Sequence, residues 1–254
     1  MFATIGTTES IIKHNLGDIK NKATKLKTTV IICLINVAKV VFKVSLRSST
    51  SEEILLVSSP TLFLLKKFNG EDTRLIIGNN NIFREGVTIH RGTIQDKGLT
   101  KIGHDNLFMA YVHIAHDCII GDHVILVNSV ALAGHVEIGD YGIVSGLSAV
   151  HQFVKIGAHV MIGGGAMVRK DVPPFITAAG EPLAYAGVNS VGLKRRNFSQ
   201  EDINEIQTLY RTLYQSGMNV SQAVNRIKEQ HSNRPLADFI LSFIEQSDRG
   251  LIRK

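Results

Sequence analysis

The sequence predicts a mainly β chain wound as a solenoid, with a small helical region behind it. Three observations carry this: apolar residues with a period of six, small residues in step with them, and helical spacing near the C-terminus. From Ile102 to Val168 every sixth residue is apolar: Ile102, Phe108, Ile114, Ile120, Leu126, Leu132, Ile138, Val144, Val150, Ile156, Ile162 and Val168. The residue after each is mostly small, and Ile-Gly pairs recur at 102, 120, 138 and 156. A helix repeats about every 3.6 residues and a strand about every 2, so neither sustains this period. Rungs that cannot bury an apolar side alone, and therefore stack, do sustain it. An ordinary β-sandwich would have to meet the period at all twelve positions by accident.

This register resembles the hexapeptide repeat of the left-handed parallel β-helix. In that family three hexapeptides make one triangular coil, which matches the spacing of eighteen between the Ile-Gly pairs. The bulky residue points inward, and the small one after it is expected to turn the corner, where glycine's freedom at positive φ helps. A second inward column holds Val112, Cys118, Val124, Val130, Val136, Val154, Val160 and Val172, the β-branched type a pleated interior favours.

Composition narrows the partners. The 254 residues carry a net charge of +6 and are 44% hydrophobic. A basic chain favours an acidic partner: nucleic acid, an anionic nucleotide, a membrane surface or an acidic protein. Aromatic residues are few and Trp is absent, which argues against base stacking and so against nucleic acid. Cys33 and Cys118 are too few for a disulfide framework, and the chain reads as intracellular and cytoplasmic. Cys118, on the inward column, acts as a small apolar residue.

Residues 1–66 show no sustained register and hold only Gly6 and Gly17, against eighteen glycines in 70–192. Lys20, Lys22, Lys25 and Lys27 precede an apolar run, Val30 to Ala38. That run is shorter than the roughly 20 residues a bilayer requires, so strands of irregular register are expected there rather than stable membrane insertion. Regularity begins near Lys67: Ile77, Phe83 and Ile89 keep the step. Ile89 to Ile102 is thirteen residues, so the count needs an insertion of seven; Thr93 to Thr100, polar and containing Gly98, reads as a loop ejected from a corner (93–100). Such loops often build a solenoid's binding face. The β-helix is expected over 67–174, stopped by Pro173 and Pro174. Residues 175–254 follow as a linker and a helical domain. Ser199 to Asp202 reads as a capping box, Ile203, Ile206, Leu209, Tyr210, Leu213 and Tyr214 have helical spacing, and Gly217 stops that helix. A second helix is expected over Val220 to Ile227. Pro235 opens a third, with Leu236, Phe239, Ile240 and Phe243 on one face.

Eight of the ten histidines lie between His90 and His159. His116 and His135 are nineteen apart, one coil plus one residue, and therefore neighbours on adjacent coils. Asp117 follows His116, and a carboxylate beside a histidine can orient it as a general base. Solvent-facing histidines decorating the corners are the plain alternative. His113, His116 and His135 also invite a zinc reading, but the segments Gly134-His-Val136 and Val150-His-Gln-Phe153 do not look like the hexapeptide family whose histidines bind metal. No metal or cofactor is expected.

Several segments together carry a closer resemblance: Thr88-Ile-His-Arg-Gly-Thr93, Asp105-Asn-Leu-Phe-Met109, His113-Ile-Ala-His-Asp-Cys118, Leu132-Ala-Gly-His135, Ala149-Val-His-Gln-Phe153, Ile156-Gly-Ala-His-Val160 and Gly192-Leu-Lys-Arg-Arg196. In order and spacing they resemble the UDP-N-acetylglucosamine O-acyltransferases, which open lipid A synthesis, and the likeness runs from about Lys67 to Lys254. The resemblance implies transfer of a 3-hydroxyacyl chain from acyl carrier protein to the glucosamine 3-hydroxyl of UDP-N-acetylglucosamine. It implies His116 as general base, Asp117 as its carboxylate and the Gly134 N–H as oxyanion donor. It implies Lys67, His113, His135, His151 and Gln152 as substrate-positioning residues, and Asn189, Arg195 and Arg196 at the nucleotide end. Gly164 matches the bottom of the acyl groove, and a homotrimer with sites between neighbouring prisms is implied. Basic residues including Lys66, Lys67, Arg249, Arg253 and Lys254 suit docking of an acidic carrier protein. The likeness stops short of residue 67: an acidic sugar contact is implied where this chain has Leu65, and Val191 stands where some relatives are acidic. Another hexapeptide acyltransferase, N-acyl or acetyl-CoA-dependent, and a trimer that binds but does not turn over, are the alternatives.

Overall fold

The computed structural model describes residues 71–231 and 233–253, together with a short strand at Ile54–Leu55. The apolar run from Val30, Leu65 and Lys67 lie outside the described residues. From Arg74 the chain winds as a left-handed parallel β-helix. Strand partners lie one coil apart: His113–Ile114 pairs in parallel with Ala131–Leu132, and that with Ala149–Val150. Each coil thus meets the backbone hydrogen-bonding demand of its neighbours.

Three flat faces result. The first stacks Arg74–Ile77, Leu99–Ile102, Ile119–Ile120, Glu137–Ile138 and Lys155–Ile156, with Ile54–Leu55 added antiparallel at one end. The second stacks Thr88–Ile89, His113–Ile114, Ala131–Leu132, Ala149–Val150 and Met167–Val168. The third runs from Ile82–Phe83 to Met161–Ile162. Both inward columns are as the period requires: Phe108, Ile114, Leu126 and Leu132 are fully buried, and so are Val112, Cys118, Val124 and Val130. Burial of such a side chain stabilises by roughly 1.5–3 kcal/mol.

The corners differ from the sequence expectation. The left-handed residue is not the glycine after the bulky residue but the residue two further on. Asp105, His123, Tyr141 and His159 form one such column, Asp117, His135 and Phe153 a second, and Tyr111, Ser129 and Leu147 a third, all with φ between 57° and 63°. The glycines serve close approach instead. A Cβ at Gly103 would lie 2.1 Å from Asp122 Oδ1, and one at Gly121 2.3 Å from Asp140 Oδ1. Those carboxylates cross between coils: Asp122 Oδ1 accepts from the His104 N–H at 2.7 Å, and Asp140 Oδ1 from the Asp122 N–H at 2.8 Å.

The seven-residue insertion is present. Pairings across it span 25 residues rather than 18, as in Arg74 with Leu99 and Thr88 with His113. Leu99 and Thr100 already belong to a strand, so the ejected loop is 93–98. Its neck is tight: a Cβ on Gly92 would fall 1.9 Å from the Leu99 nitrogen.

Pro173 and Pro174 do not end the coil. Val172 still bridges Ile156, and Ile176–Ala179 pairs in parallel with Met161–Ile162 before Ala184–Val188 returns antiparallel. The prolines sit at a corner, where a missing N–H removes no ladder bond. Residues 176–188, expected as linker, therefore close the third face. A short helix α1 (Ser190–Arg195), not expected from the sequence, precedes α2 (Gln200–Gln215), α3 (Val220–Gln230) and α4 (Pro235–Glu245). Ser199 and Asp202 form the capping box of α2. On α4 the buried residues are Ala237, Ile240 and Leu241, whereas Phe239 is 49% exposed.

Replacing Gly121 with Ala is expected to destabilise the chain by about 1–3 kcal/mol, because the new Cβ displaces Asp140 from the Asp122 N–H. A lowered urea midpoint with unchanged slope checks this.

Candidate active site

His116 and Asp117 stand at the corner between the second and first faces. Asp117 adopts the left-handed conformation, φ 59°, and its side chain is fully buried. His116 Nδ1 donates to Asp117 Oδ2 at 2.9 Å. The carboxylate also accepts from Thr93, the N–H to Oδ1 at 2.8 Å and the hydroxyl to Oδ2 at 2.7 Å. A carboxylate at the bottom of this network can only accept, so the neutral imidazole carries its proton on Nδ1 and its lone pair on Nε2. Burial opposes the charge on Asp117, but the hydrogen bonds from His116 and Thr93 outweigh it and its pKa is lowered. The pair is thus a histidine held in place by an ionised carboxylate.

Gly134 lies one coil above His116. A Cβ there would be 2.6 Å from His116 Cε1 and 2.9 Å from Nε2. Only a glycine lets the backbone approach the basic nitrogen this closely. Among the described residues the Gly134 N–H has no hydrogen-bond acceptor. His135 follows, its ring edge-on to His116 with centroids 5.1 Å apart. His113 accompanies them on the second face, its Nδ1 2.8 Å from the Thr88 hydroxyl. Burial lowers the pKa of His113 and of His90, whose neighbours His113 and His116 add to the effect. Cys118, next to the dyad in sequence, points into the prism, and burial pushes its thiol up to about 12. It is a core residue and not a nucleophile.

The remaining residues fall elsewhere on the coil. His151 and Gln152 are exposed near the dyad corner, on the coil after Gly134. His151 Nδ1 lies 3.2 Å from Arg249 Nη2 and 3.2 Å from the Gln152 carbonyl, serving one or the other according to its tautomer. Asn189 and Arg196 gather at a different corner. Asn189 caps α1 through Gly192 and donates to the His159 carbonyl at 2.9 Å. Arg196 lies over the Tyr141 ring, 5.0 Å from its centroid, and donates to the Tyr141 carbonyl at 3.3 Å. Arg195 beside it is exposed. Gly164 is at the third corner, where a Cβ would meet only ordinary contacts, 3.5 Å to the Gly146 carbonyl oxygen. The coil itself therefore does not need glycine at 164. Lys67 lies outside the described residues.

Residues to which the sequence assigned no part beside the dyad complete the corner. Thr93 and Asp96 come from the ejected loop, Thr100 accepts the Asp117 N–H at 2.8 Å, and Arg249 comes from the C-terminal segment. The polarity and length of the insertion pointed to the loop, not to the side chains that turn inward. His116, Asp117 and His135 bring potential metal-ligand atoms within 4.8 Å of one another, the one such group among the described residues. Both oxygens of Asp117 are already committed to His116 and Thr93, so this carboxylate suits an orienting role better than a ligand's.

A parallel β-helix with an oriented histidine beside an unpaired backbone donor defines a hexapeptide-repeat acyltransferase. Residues 99–134 match the bacterial transferase hexapeptide family, and residues 171–252 match the second domain of UDP-N-acetylglucosamine O-acyltransferase. The acyl-[acyl-carrier-protein]–UDP-N-acetylglucosamine O-acyltransferase of Thiobacillus denitrificans is 47% identical over 188 residues, 74% of this chain and 73% of that protein. The protein of that name from Pseudomonas syringae pv. tomato is 49% identical over 187 residues, 74% of this chain and 72% of its own. The crystal structure of UDP-N-acetylglucosamine acyltransferase from Francisella novicida matches with a TM-score of 0.72 and 40% identity, covering 75% of this chain and 70% of the other. The chain belongs to the UDP-N-acetylglucosamine O-acyltransferase family.

His159 makes the Arg196 corner pH-sensitive. Burial, with Arg196 second, lowers its pKa from 6.5 to about 4. The unfolded chain then binds a proton that the folded chain does not. Stability is whole above about pH 6.5, declines as the pH falls below that value, and has lost the full contribution below about pH 4. His159→Phe keeps a ring between Tyr141 and Phe175 and is expected to flatten that slope. Urea midpoints at about pH 7 and about pH 5 check it.

Proposed function

We propose that this protein transfers a 3-hydroxyacyl chain from acyl carrier protein to the 3-hydroxyl of UDP-N-acetylglucosamine, the opening reaction of lipid A synthesis. The observation that carries the mechanism is the His116–Asp117 pair set under Gly134. His116 Nε2 takes the proton of the sugar hydroxyl, and the oxygen attacks the thioester carbonyl. The developing oxyanion meets the Gly134 N–H, a fixed donor of the kind worth about 3–4 kcal/mol in acyl transfer. Collapse breaks the C–S bond, and His116 returns its proton to the departing thiolate. A thioester is already activated, so no enzyme-bound acyl group is needed, in keeping with the buried Cys118.

His113, His135, His151 and Gln152 border the dyad corner and serve as substrate-positioning residues; Lys67 is assigned to the same group. Asn189, Arg195 and Arg196 take the nucleotide, where guanidinium groups suit phosphate oxygens. Within one chain they stand at a different corner from the dyad. A homotrimer in which one prism's dyad faces its neighbour's Arg196 corner joins the two halves. Gly164, at the third corner and free of any packing need for glycine, leaves room for the end of the acyl chain. We place the protein in the cytoplasm, because both substrates are water-soluble. Among the described residues no helix is long and apolar enough to cross a membrane.

Purified protein given UDP-N-acetylglucosamine and a panel of 3-hydroxyacyl carrier proteins should form an ester at the sugar 3-hydroxyl. An amide or a transferred acetyl group would overturn the reading, and a folded trimer without transfer would leave a binding protein. His116→Ala should lower turnover about 10²–10⁴-fold, the usual contribution of a general base.

The shared site makes a sharper prediction. His116→Ala and Arg196→Ala chains, each inactive alone, should recover activity when co-expressed, with about one site in four assembled from two intact halves. No recovery in mixed trimers would place both halves in one subunit.

A further inference from the structure

The ejected loop holds the second histidine of the site as firmly as the first. Thr93 binds the Asp117 carboxylate, which orients His116. Three residues on, Asp96 Oδ2 lies 2.9 Å from His135 Nδ1. The partners are 39 residues apart in sequence, and the His135 side chain is only 14% exposed. Its ring is also stacked on Phe153, centroids 4.3 Å apart and planes 10° from parallel. A carboxylate can only accept, so Asp96 draws the imidazole proton to Nδ1. The face is fixed by Phe153 and the in-plane rotation by Asp96. Nε2 is the nitrogen left over, on a ring whose centroid lies 5.1 Å from that of His116.

We propose that Asp96 is a positioning residue for the acyl transfer: it selects the tautomer of His135 in which Nε2 accepts a hydrogen bond from a hydroxyl or amide N–H of the bound substrate. The corner then carries two parallel carboxylate–histidine pairs, Asp117 with His116 and Asp96 with His135, both served by one loop. His116 moves the proton, and His135 holds the acceptor or donor in line. Without Asp96, the Nε2–H tautomer presents a donor where the substrate also offers one, and the ring loses its in-plane anchor. The pair with Lys97 shows the contrast. Lys97 Nζ reaches Glu137 at 3.7 Å with both side chains largely exposed, a contact of little energetic consequence that touches neither histidine.

This inference rests on the acyltransferase reading, and its test separates the two. The ¹⁵N spectrum of histidine-labelled protein should show His135 protonated at Nδ1, and Asp96→Ala should move it to a mixture of tautomers. In the transfer assay Asp96→Ala should raise KM for one substrate and lower kcat/KM about 10-fold or more. Asp96→Asn, which retains an acceptor oxygen, should recover part of the loss, and Lys97→Ala should change nothing. Unchanged His135 signals in Asp96→Ala, or unchanged kinetics in a folded trimer, would overturn the positioning role. If the parent shows no transfer, the acyltransferase reading fails, while the spectrum still decides whether Asp96 sets the tautomer.

Discussion

The structure depends on one constraint: each coil must return its backbone to register with the coil below after eighteen residues. Parallel pairing of His113 with Ala131, and of Ala131 with Ala149, expresses that return. When it holds, every position recurs in a vertical column, inward, outward or at a corner. When it is interrupted, as between Ile89 and Leu99, the surplus must leave the prism as a loop. The same return that makes the core continuous therefore decides where the loop emerges, at the corner one coil before the one that carries His116.

Column geometry turns repetition into a site. Left-handed corner residues project side chains that stack coil upon coil, giving His123, Tyr141, His159 and Phe175 at one corner and His135 on Phe153 at another. A left-handed conformation costs an L-residue roughly 1–2 kcal/mol, which stacking and cross-coil hydrogen bonds offset. Glycine serves a different end. At Gly121 it admits an aspartate that bridges coils, and at Gly134 it admits the basic nitrogen of His116. The candidate site is thus built from the same kinds of contact that stabilise the coil, with one glycine turned to the His116 ring.

Much of this was legible in the residues. The period of six identified the inward columns, the count of thirteen from Ile89 to Ile102 revealed the insertion, and the spacing of nineteen placed His116 near His135. The helix signals around Ser199 and Pro235 identified α2 and α4. The misplaced features have physical causes. Prolines 173 and 174 read as a stop because the sequence does not say that they occupy a corner, where no ladder donor is lost. The corner glycines read as turn residues because close approach to Asp122 or Asp140 leaves no local signal. Phe239 shares a face with Ile240 by spacing yet is 49% exposed, because spacing defines a face but not what lies against it.

The sequence by itself determined the solenoid, its period, its inward residues and the dyad, because these follow from local order repeated at a fixed interval. Tertiary structure alone decided the partners across long separations. Thr93 on Asp117, Asp96 on His135 and Arg249 beside His151 are joined across 24, 39 and 98 residues. It also decided that Asn189 and Arg196 gather at another corner from His116. Such contacts depend on where an ejected loop and a returning C-terminal segment fold back in space, which no periodicity along the chain encodes.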